Sequence, residues 1–153
     1  MPYDRSDAVY ESAAFDRPGP RVLVTLGTTF QDRDMEHAFV RSVVKAGFNV
    51  LNTGSTDDET AQAPNVRRVG FVPLARILPD VDLVVSAGGT GTVLSALASG
   101  LPMVIRPITA DHPSNAARAE KLGAARVITD PADAGAAAQE VLRSLVALSE
   151  ARL

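Results

Sequence analysis

Six short apolar runs alternate with segments of helical periodicity, and this alternation restricts what the chain can fold into more than any other feature. The runs are RVLVTL, FNVLNTG, NVRRVGFV, VDLVVSAG, PMVIRP and AARVITD. Most are rich in Val, Leu and Ile and show little polar alternation, as strands buried on both faces do. Between them, MEHAFVRSVVKAG places Met35, Ala38, Phe39, Val43 and Val44 at helical spacing and closes at Gly47. PLARILP reads as a short helix bracketed by prolines. TGTVLSALASG reads as a helix ending at Gly100. DHPSNAARAEKLG reads as a helix with Asp111 as N-cap and Gly123 as its stop. The last helix is expected from Asp133 to Leu148, with Val141, Leu142, Leu145, Val146 and Leu148 as its apolar side. Strands that alternate with helices and are buried on both faces predict an α/β fold. The expected architecture is a Rossmann-like, doubly wound parallel sheet of about six strands with helices on both faces. No internal repeat stands out.

The chain of 153 residues is long enough for one domain with a proper core. Residues 1–20 are polar, lack a sustained period and end in Pro-Gly-Pro, so they read as a linker or N-terminal arm. The folded domain is expected over 21–153. Lys and Arg are scattered and the net charge is −3, which argues against nucleic acid as a partner. No apolar run approaches the roughly 18–20 residues of a membrane span, and the first residues do not resemble a signal peptide. Cysteine is absent, which excludes disulfides and thiol chemistry and fits a cytoplasmic location. His37 and His112 lie far apart in sequence, no metal-ligand spacing is present, and no metal or other cofactor is expected.

Ligands of doubly wound sheets sit beyond the carboxyl ends of the strands, so the loops after the first, third, fourth and fifth runs are informative. After the fourth run come Gly88, Gly89, Thr90, Gly91 and Thr92, and then a helix. Glycines there allow close backbone approach, and a helix start offers N–H groups and a positive dipole end to a phosphate or diphosphate. Glycines at a strand-to-helix turn also serve tight packing alone. The segment lacks the Gly-Lys-Ser/Thr of a P-loop, and the turn after the first strand lacks a GxGxxG fingerprint. Gly27, Thr28 and Thr29 offer N–H groups and hydroxyls at the same sheet edge, or form a plain turn. In the fifth loop, Asp111 can hold sugar hydroxyls or simply cap a helix. His112 can donate to a ligand oxygen or be incidental. Asn115, one turn on, reads as a solvent-facing helix residue, and His37 as structural or exposed.

Three segments carry a resemblance: VLVTLGTTF, VRRVGFVPLARILPDVDLVVSAGGTGTVLSALASGLPMVIRP and ADHPSNAARAEKLGAARVI. Over residues 21–150 the sequence resembles the C-terminal, nucleotide-sugar-binding domain of GT-B glycosyltransferases. It is most similar to the bacterial natural-product and macrolide branch of the UDP-glycosyltransferase-like enzymes. The resemblance implies one half of a GT-B fold that holds a UDP- or TDP-linked sugar, while an N-terminal domain of similar fold holds the acceptor and the catalytic base. No catalytic residue is then expected in this chain, which by itself would be inactive. It implies diphosphate contacts from Gly88, Gly89, Thr90, Gly91 and Thr92, flanked by Gly27, Thr28 and Thr29. Val72, Pro73 and Leu78 would border the nucleobase, Ser95 would face the ribose, and Asp111 and His112 the sugar. The linker-like start is what remains when such an enzyme is divided between its domains. A natural single-domain subunit with a separate partner chain is the other possibility.

The departures from the family pattern concern side chains. Ala87 stands where the family usually has a His that donates to the diphosphate, Ser95 where a Glu bonds the ribose, and His112 where a Gln follows the Asp. Losing a charge-assisted donor removes roughly 1.5–3 kcal/mol of bonding, about ten- to hundredfold in affinity. Two functions therefore compete. One is the donor-binding half of a glycosyltransferase that moves a sugar to an acceptor hydroxyl. The other is a non-catalytic glycosyltransferase-like module with a weakened donor site. A generic Rossmann-like domain for another nucleotide is disfavoured by the missing first-turn fingerprint.

Overall fold

The computed structural model describes residues 18–26, 32–53, 63–69 and 72–151, with side chains to 148. Among these, six strands form one sheet: β1 (Arg21–Thr25), β2 (Asn49–Asn52), β3 (Val66–Arg68), β4 (Leu83–Ser86), β5 (Met103–Ile105) and β6 (Ala125–Val127). Five α-helices accompany them: α1 (Arg33–Lys45), α2 (Leu74–Ile77), α3 (Thr90–Ala98), α4 (His112–Lys121) and α5 (Ala134–Ala151). Every strand pairing is parallel, and the order across the sheet is β3-β2-β1-β4-β5-β6. The expected doubly wound sheet is present, and the chain reverses its direction of travel between β1 and β4.

Side-chain alternation along the strands builds two cores. Val22, Val24, Val50, Leu83, Val85 and Val104 face Phe39, Val40 and Val43 of α1 and Ala134, Ala137 and Ala138 of α5. Leu23, Leu51, Val84, Met103 and Ile105 face the opposite way, onto Ile77, Val93, Ala96, Ala116 and Ala119. Successive residues point to opposite faces of a strand, and here both faces are covered, which is why the strands read as continuous apolar runs.

Helix boundaries follow capping chemistry. The α1 helix begins two residues before its apolar period, because the Asp32 carboxylate accepts the Met35 N–H at 3.1 Å. Helices α1, α3 and α4 are each followed by a glycine of positive φ: Gly47 (96°), Gly100 (70°) and Gly123 (76°).

Three expectations need correction. The third strand covers only Val66–Arg68, shorter than the NVRRVGFV run, as suits an edge strand with one partner. Asp111 occupies the N-cap position of α4 but has helical backbone angles and makes no capping bond with its side chain. The apolar side expected of the last helix is only partly buried. Val141 and Leu142 pack against the core, whereas Leu145, Val146 and Leu148 are 43%, 57% and 61% exposed. An 18-residue helix is about 27 Å long, whereas a strand of five residues reaches only about 17 Å, so the final turns run past the sheet. The arm expected over residues 1–20 lies, except for 18–20, outside the described residues.

Candidate functional site

The site lies at the carboxyl end of β4, beside β1, where the sheet reverses. In the parallel register Thr25 is level with Ser86, so the chain leaving β1 and the chain leaving β4 emerge at one edge. This is the crevice that open α/β sheets offer to ligands. The buried Ser86 hydroxyl accepts the Gly88 N–H at 3.2 Å and tightens the turn.

The glycines of the turn differ in what requires them. Gly88 has φ of +92°, and a Cβ there would sit 2.9 Å from Ile105 Cγ2 and 3.4 Å from the His112 carbonyl oxygen. The protein's own packing therefore demands glycine at 88. Among the described residues a Cβ at Gly89 or Gly91 would meet nothing within 4 Å, and neither has a positive φ. Tight packing explains the first glycine and leaves the other two as open space over the start of α3. That helix has no acidic residue in its first turn and no side chain capping it. The N–H groups of its first turn have no intrahelical partner, and the positive dipole end faces the same opening.

The α4 helix closes the other side of the opening. The Thr90 hydroxyl donates to Asp111 Oδ2. Asn115 Nδ2 donates to the Gly88 carbonyl at 2.9 Å and to Thr90 Oγ1 at 3.0 Å. The Thr90 hydroxyl, then the hydrogen bond to its own backbone, and further Asn115 and His112 hold the Asp111 carboxyl below the usual carboxylate range. Asp111 is exposed and anionic, suited to accepting hydroxyl donors.

Thr90 and Asp111 are brought together with Gly88, Gly89, Gly91 and Thr92. The single Thr90 hydrogen goes to Asp111, which leaves Thr90 its backbone N–H for an anion. Thr92 is buried, and Ser95 is half-buried one turn along α3. His112 is 6% exposed, and its Nδ1 accepts the N–H groups of Thr109 and Ile108 at 3.3 and 3.4 Å. The ring packs into its own loop, where Ala110 has a positive φ of 55°. Asn115, read as solvent-facing, is instead the residue that ties α4 to the glycine turn. Its position one turn after Asp111 was the available signal.

Of the residues expected at the nucleobase, Pro73 is exposed at the start of α2, while Val72 and Leu78 are buried in the core beneath it. Ala87 is 1% exposed and belongs to the core on the α1 side. Gly27, Thr28 and Thr29 lie outside the described residues. Among the described residues no three His, Cys, Asp or Glu side chains cluster as metal ligands, and no helix is long and apolar enough to cross a membrane.

A second polar cluster lies at the carboxyl edge, under the start of α1. Glu36 and Asn52 are 7% and 0% exposed, and Asn52 Nδ2 donates to Val24 O at 3.2 Å and to Glu36 Oε2 at 3.3 Å. Burial raises the Glu36 pKa against the opposing pull of Asn52, His37, Arg68 and Arg33. Asn52 Oδ1 is buried without a hydrogen-bond partner among the described residues.

Residues 42–150 match the family described as erythromycin biosynthesis protein CIII-like, C-terminal domain. Elloramycin glycosyltransferase ElmGT of Streptomyces olivaceus is 39% identical over 113 residues, which is 70% of this chain and 30% of the relative. Tylactone mycaminosyltransferase of Streptomyces fradiae is 30% identical over 139 residues, 84% of this chain and 31% of the relative. The Streptomyces sp. SF2575 glycosyltransferase SsfS6, solved in complex with thymidine diphosphate, superposes with a TM-score of 0.66. It is 30% identical, covering 82% of this chain and 34% of its own. The glycosyltransferase VinC, solved with dTDP, gives 0.65 at 30% identity, covering 84% of this chain and 34% of its own. The chain thus spans roughly a third of the length of the proteins it matches.

Proposed function

The chain belongs to the erythromycin biosynthesis protein CIII-like C-terminal domain family, and from that premise we propose that it is the donor-binding domain of a glycosyltransferase. The reaction is transfer of a sugar from a nucleoside diphosphate to an acceptor hydroxyl. The acceptor oxygen forms a bond to the anomeric carbon as the bond from that carbon to the diphosphate breaks, and the diphosphate leaves with the electron pair. This chain binds the donor, and the N–H groups at the start of α3 stabilise the charge that develops on the leaving diphosphate. Those donors are fixed before the reaction, so their reorganisation cost is small. The proton of the acceptor hydroxyl goes to a base on an acceptor-binding domain, in the same polypeptide or a partner chain. The reading needs no metal from this chain and places the reaction in the cytoplasm.

The observation that carries this reading is the space that the described residues leave over Gly89 and Gly91, at a helix start with no acidic residue and no side-chain cap. Relatives solved with thymidine diphosphate support a nucleoside diphosphate as the nucleotide class. The burial of Ala87 in the core favours a second reading, a glycosyltransferase-like module whose donor grip is weakened. Calorimetric titration of the chain with UDP and TDP, with NAD as control, separates the two. Saturable binding of either diphosphate and none of NAD supports a working donor domain. A folded sample that binds neither at millimolar concentration favours the module.

A further inference from the structure

We propose that Asn115 is a positioning residue that sets the diphosphate end and the sugar end of the donor site together, an inference that rests on the donor-binding reading. The two hydrogens of its side-chain amide go to different groups of the turn: Gly88 O at 2.9 Å and Thr90 Oγ1 at 3.0 Å. The first bond fixes a peptide plane. In a trans peptide the carbonyl and the next N–H point in opposite directions. Drawing the Gly88 carbonyl toward α4 therefore turns the Gly89 N–H away from α4. That N–H belongs to the N-cap of α3, the residue over which a Cβ would find open space. Asn115 thus fixes the orientation of the first N–H at the start of α3.

The second bond fixes a proton. A hydroxyl has one hydrogen and two lone pairs. With Asn115 donating to a lone pair of Thr90 Oγ1, the Thr90 hydrogen is directed to Asp111 Oδ2. One carboxylate oxygen of Asp111 is thereby held, and the exposed carboxylate keeps a fixed bearing toward the opening with its other oxygen available to sugar hydroxyls. Asp111 lies outside the capping role that its position suggests, because its backbone angles are helical and its side chain makes no capping bond. The network runs from the glycine turn through Thr90 and Asn115 to the start of α4 before any ligand arrives, so less ordering remains to be done on binding.

The test titrates the chain with TDP and with TDP-glucose, comparing the native protein with Asn115→Ala, Thr90→Val, Thr90→Ser and the Asn115→Ala/Thr90→Val double variant, each with its thermal midpoint. Asn115→Ala is expected to weaken TDP about three- to tenfold, from the loss of one aimed hydrogen bond, and TDP-glucose by a further factor of the same order. Thr90→Val is expected to weaken TDP-glucose more than TDP, and Thr90→Ser, which keeps the hydroxyl, to restore the native ratio. In the double variant the two losses in TDP-glucose affinity are expected to be less than additive, since both act through the Thr90 proton. A lowered midpoint with both affinities within twofold of native would make Asn115 a packing residue and overturn the proposal. Equal ratios of the two affinities in Thr90→Val and Thr90→Ser would overturn it independently of whether Asn115→Ala folds. If the native protein itself binds neither probe, the donor-binding reading fails, and this inference fails with it.

Discussion

At the scale of single residues, the glycines after β4 separate into one the fold requires and two it does not. Gly88 is held by its positive φ and by the approach of Ile105, whereas Gly89 and Gly91 border open space. Replacing Gly91 by Val puts a branched side chain where a Cβ meets none of the described residues within 4 Å. The expected result is loss of saturable TDP binding in titration with a thermal midpoint within a few degrees of native. A folded Gly91→Val protein with native affinity would move the diphosphate elsewhere. The turn was legible in the sequence, because glycines and threonines between an apolar run and a helix are a local pattern. The bonds that complete it were not. Asn115 reaches Gly88 across 27 positions of sequence, and its place one turn after Asp111 puts it on that side of the helix without naming so distant a partner. The burial of His112 was hidden for a related reason, since only the folded loop brings the N–H groups of residues 108 and 109 onto its ring.

At the scale of elements, α1 and α5 meet through a contact that leaves no room for a side chain. A Cβ on Gly135 would lie 2.3 Å from the Ser42 carbonyl oxygen and 2.9 Å from Ala46 Cβ. The Gly135 N–H donates to Ser42 Oγ at 2.8 Å, and that hydroxyl donates to Ala132 O at 2.7 Å. In an unobstructed helix, Gly→Ala stabilises by about 1 kcal/mol. Here the obstacle is backbone, which cannot swing aside, so Gly135→Ala is expected to cost about 1–3 kcal/mol in denaturant titration. A gain in stability would show that the two helices separate easily. The start of α1 gives a prediction in pH. Burial raises the Glu36 pKa, so the folded state binds its proton more tightly than the unfolded state. Its contribution to stability is fully present below the unfolded value near 4.5 and is lost as pH rises through the raised folded value. Glu36→Gln removes that charge and brings an N–H donor to a pair in which Asn52 Oδ1 is without a hydrogen-bond partner among the described residues. The variant is expected to be more stable than native at pH 7, with the difference shrinking toward pH 4, as followed by thermal melts across that range. An advantage independent of pH would assign the effect to packing. Both contacts were hidden from the sequence. Gly135 reads as a helix weakener, and Glu36 as one more charge in a helix's first turn. For the last helix the apolar period was legible, but not how far the sheet extends beneath it.

At the scale of the whole molecule, β1 and β4 hold the two cores and the candidate site together. Alternate residues of β1 face opposite cores, Val22 and Val24 one way and Leu23 the other, and β4 divides the same way at Leu83, Val84 and Val85. Neither core can open while these strands remain paired, and the glycine turn continues directly from β4. This arrangement was readable as a class from the sequence, because strands buried on both faces leave unbroken apolar runs. The order β3-β2-β1-β4-β5-β6 is what locates the reversal and hence the crevice. Heating should therefore give one transition, with equal calorimetric and van't Hoff enthalpies. A ligand held at the end of β4 should move that transition as a unit. At free TDP one hundred times its dissociation constant, mass action adds about 2.7 kcal/mol of stability. For a domain of this size that corresponds to an upward shift of about 5–11 °C. Differential scanning calorimetry with and without TDP reads both features. Two transitions, only one of them responding to TDP, would mean that the two faces of the sheet unfold separately and that the site depends on one core alone. A single transition that shifts by the expected amount ties the donor site to the paired strands beneath it.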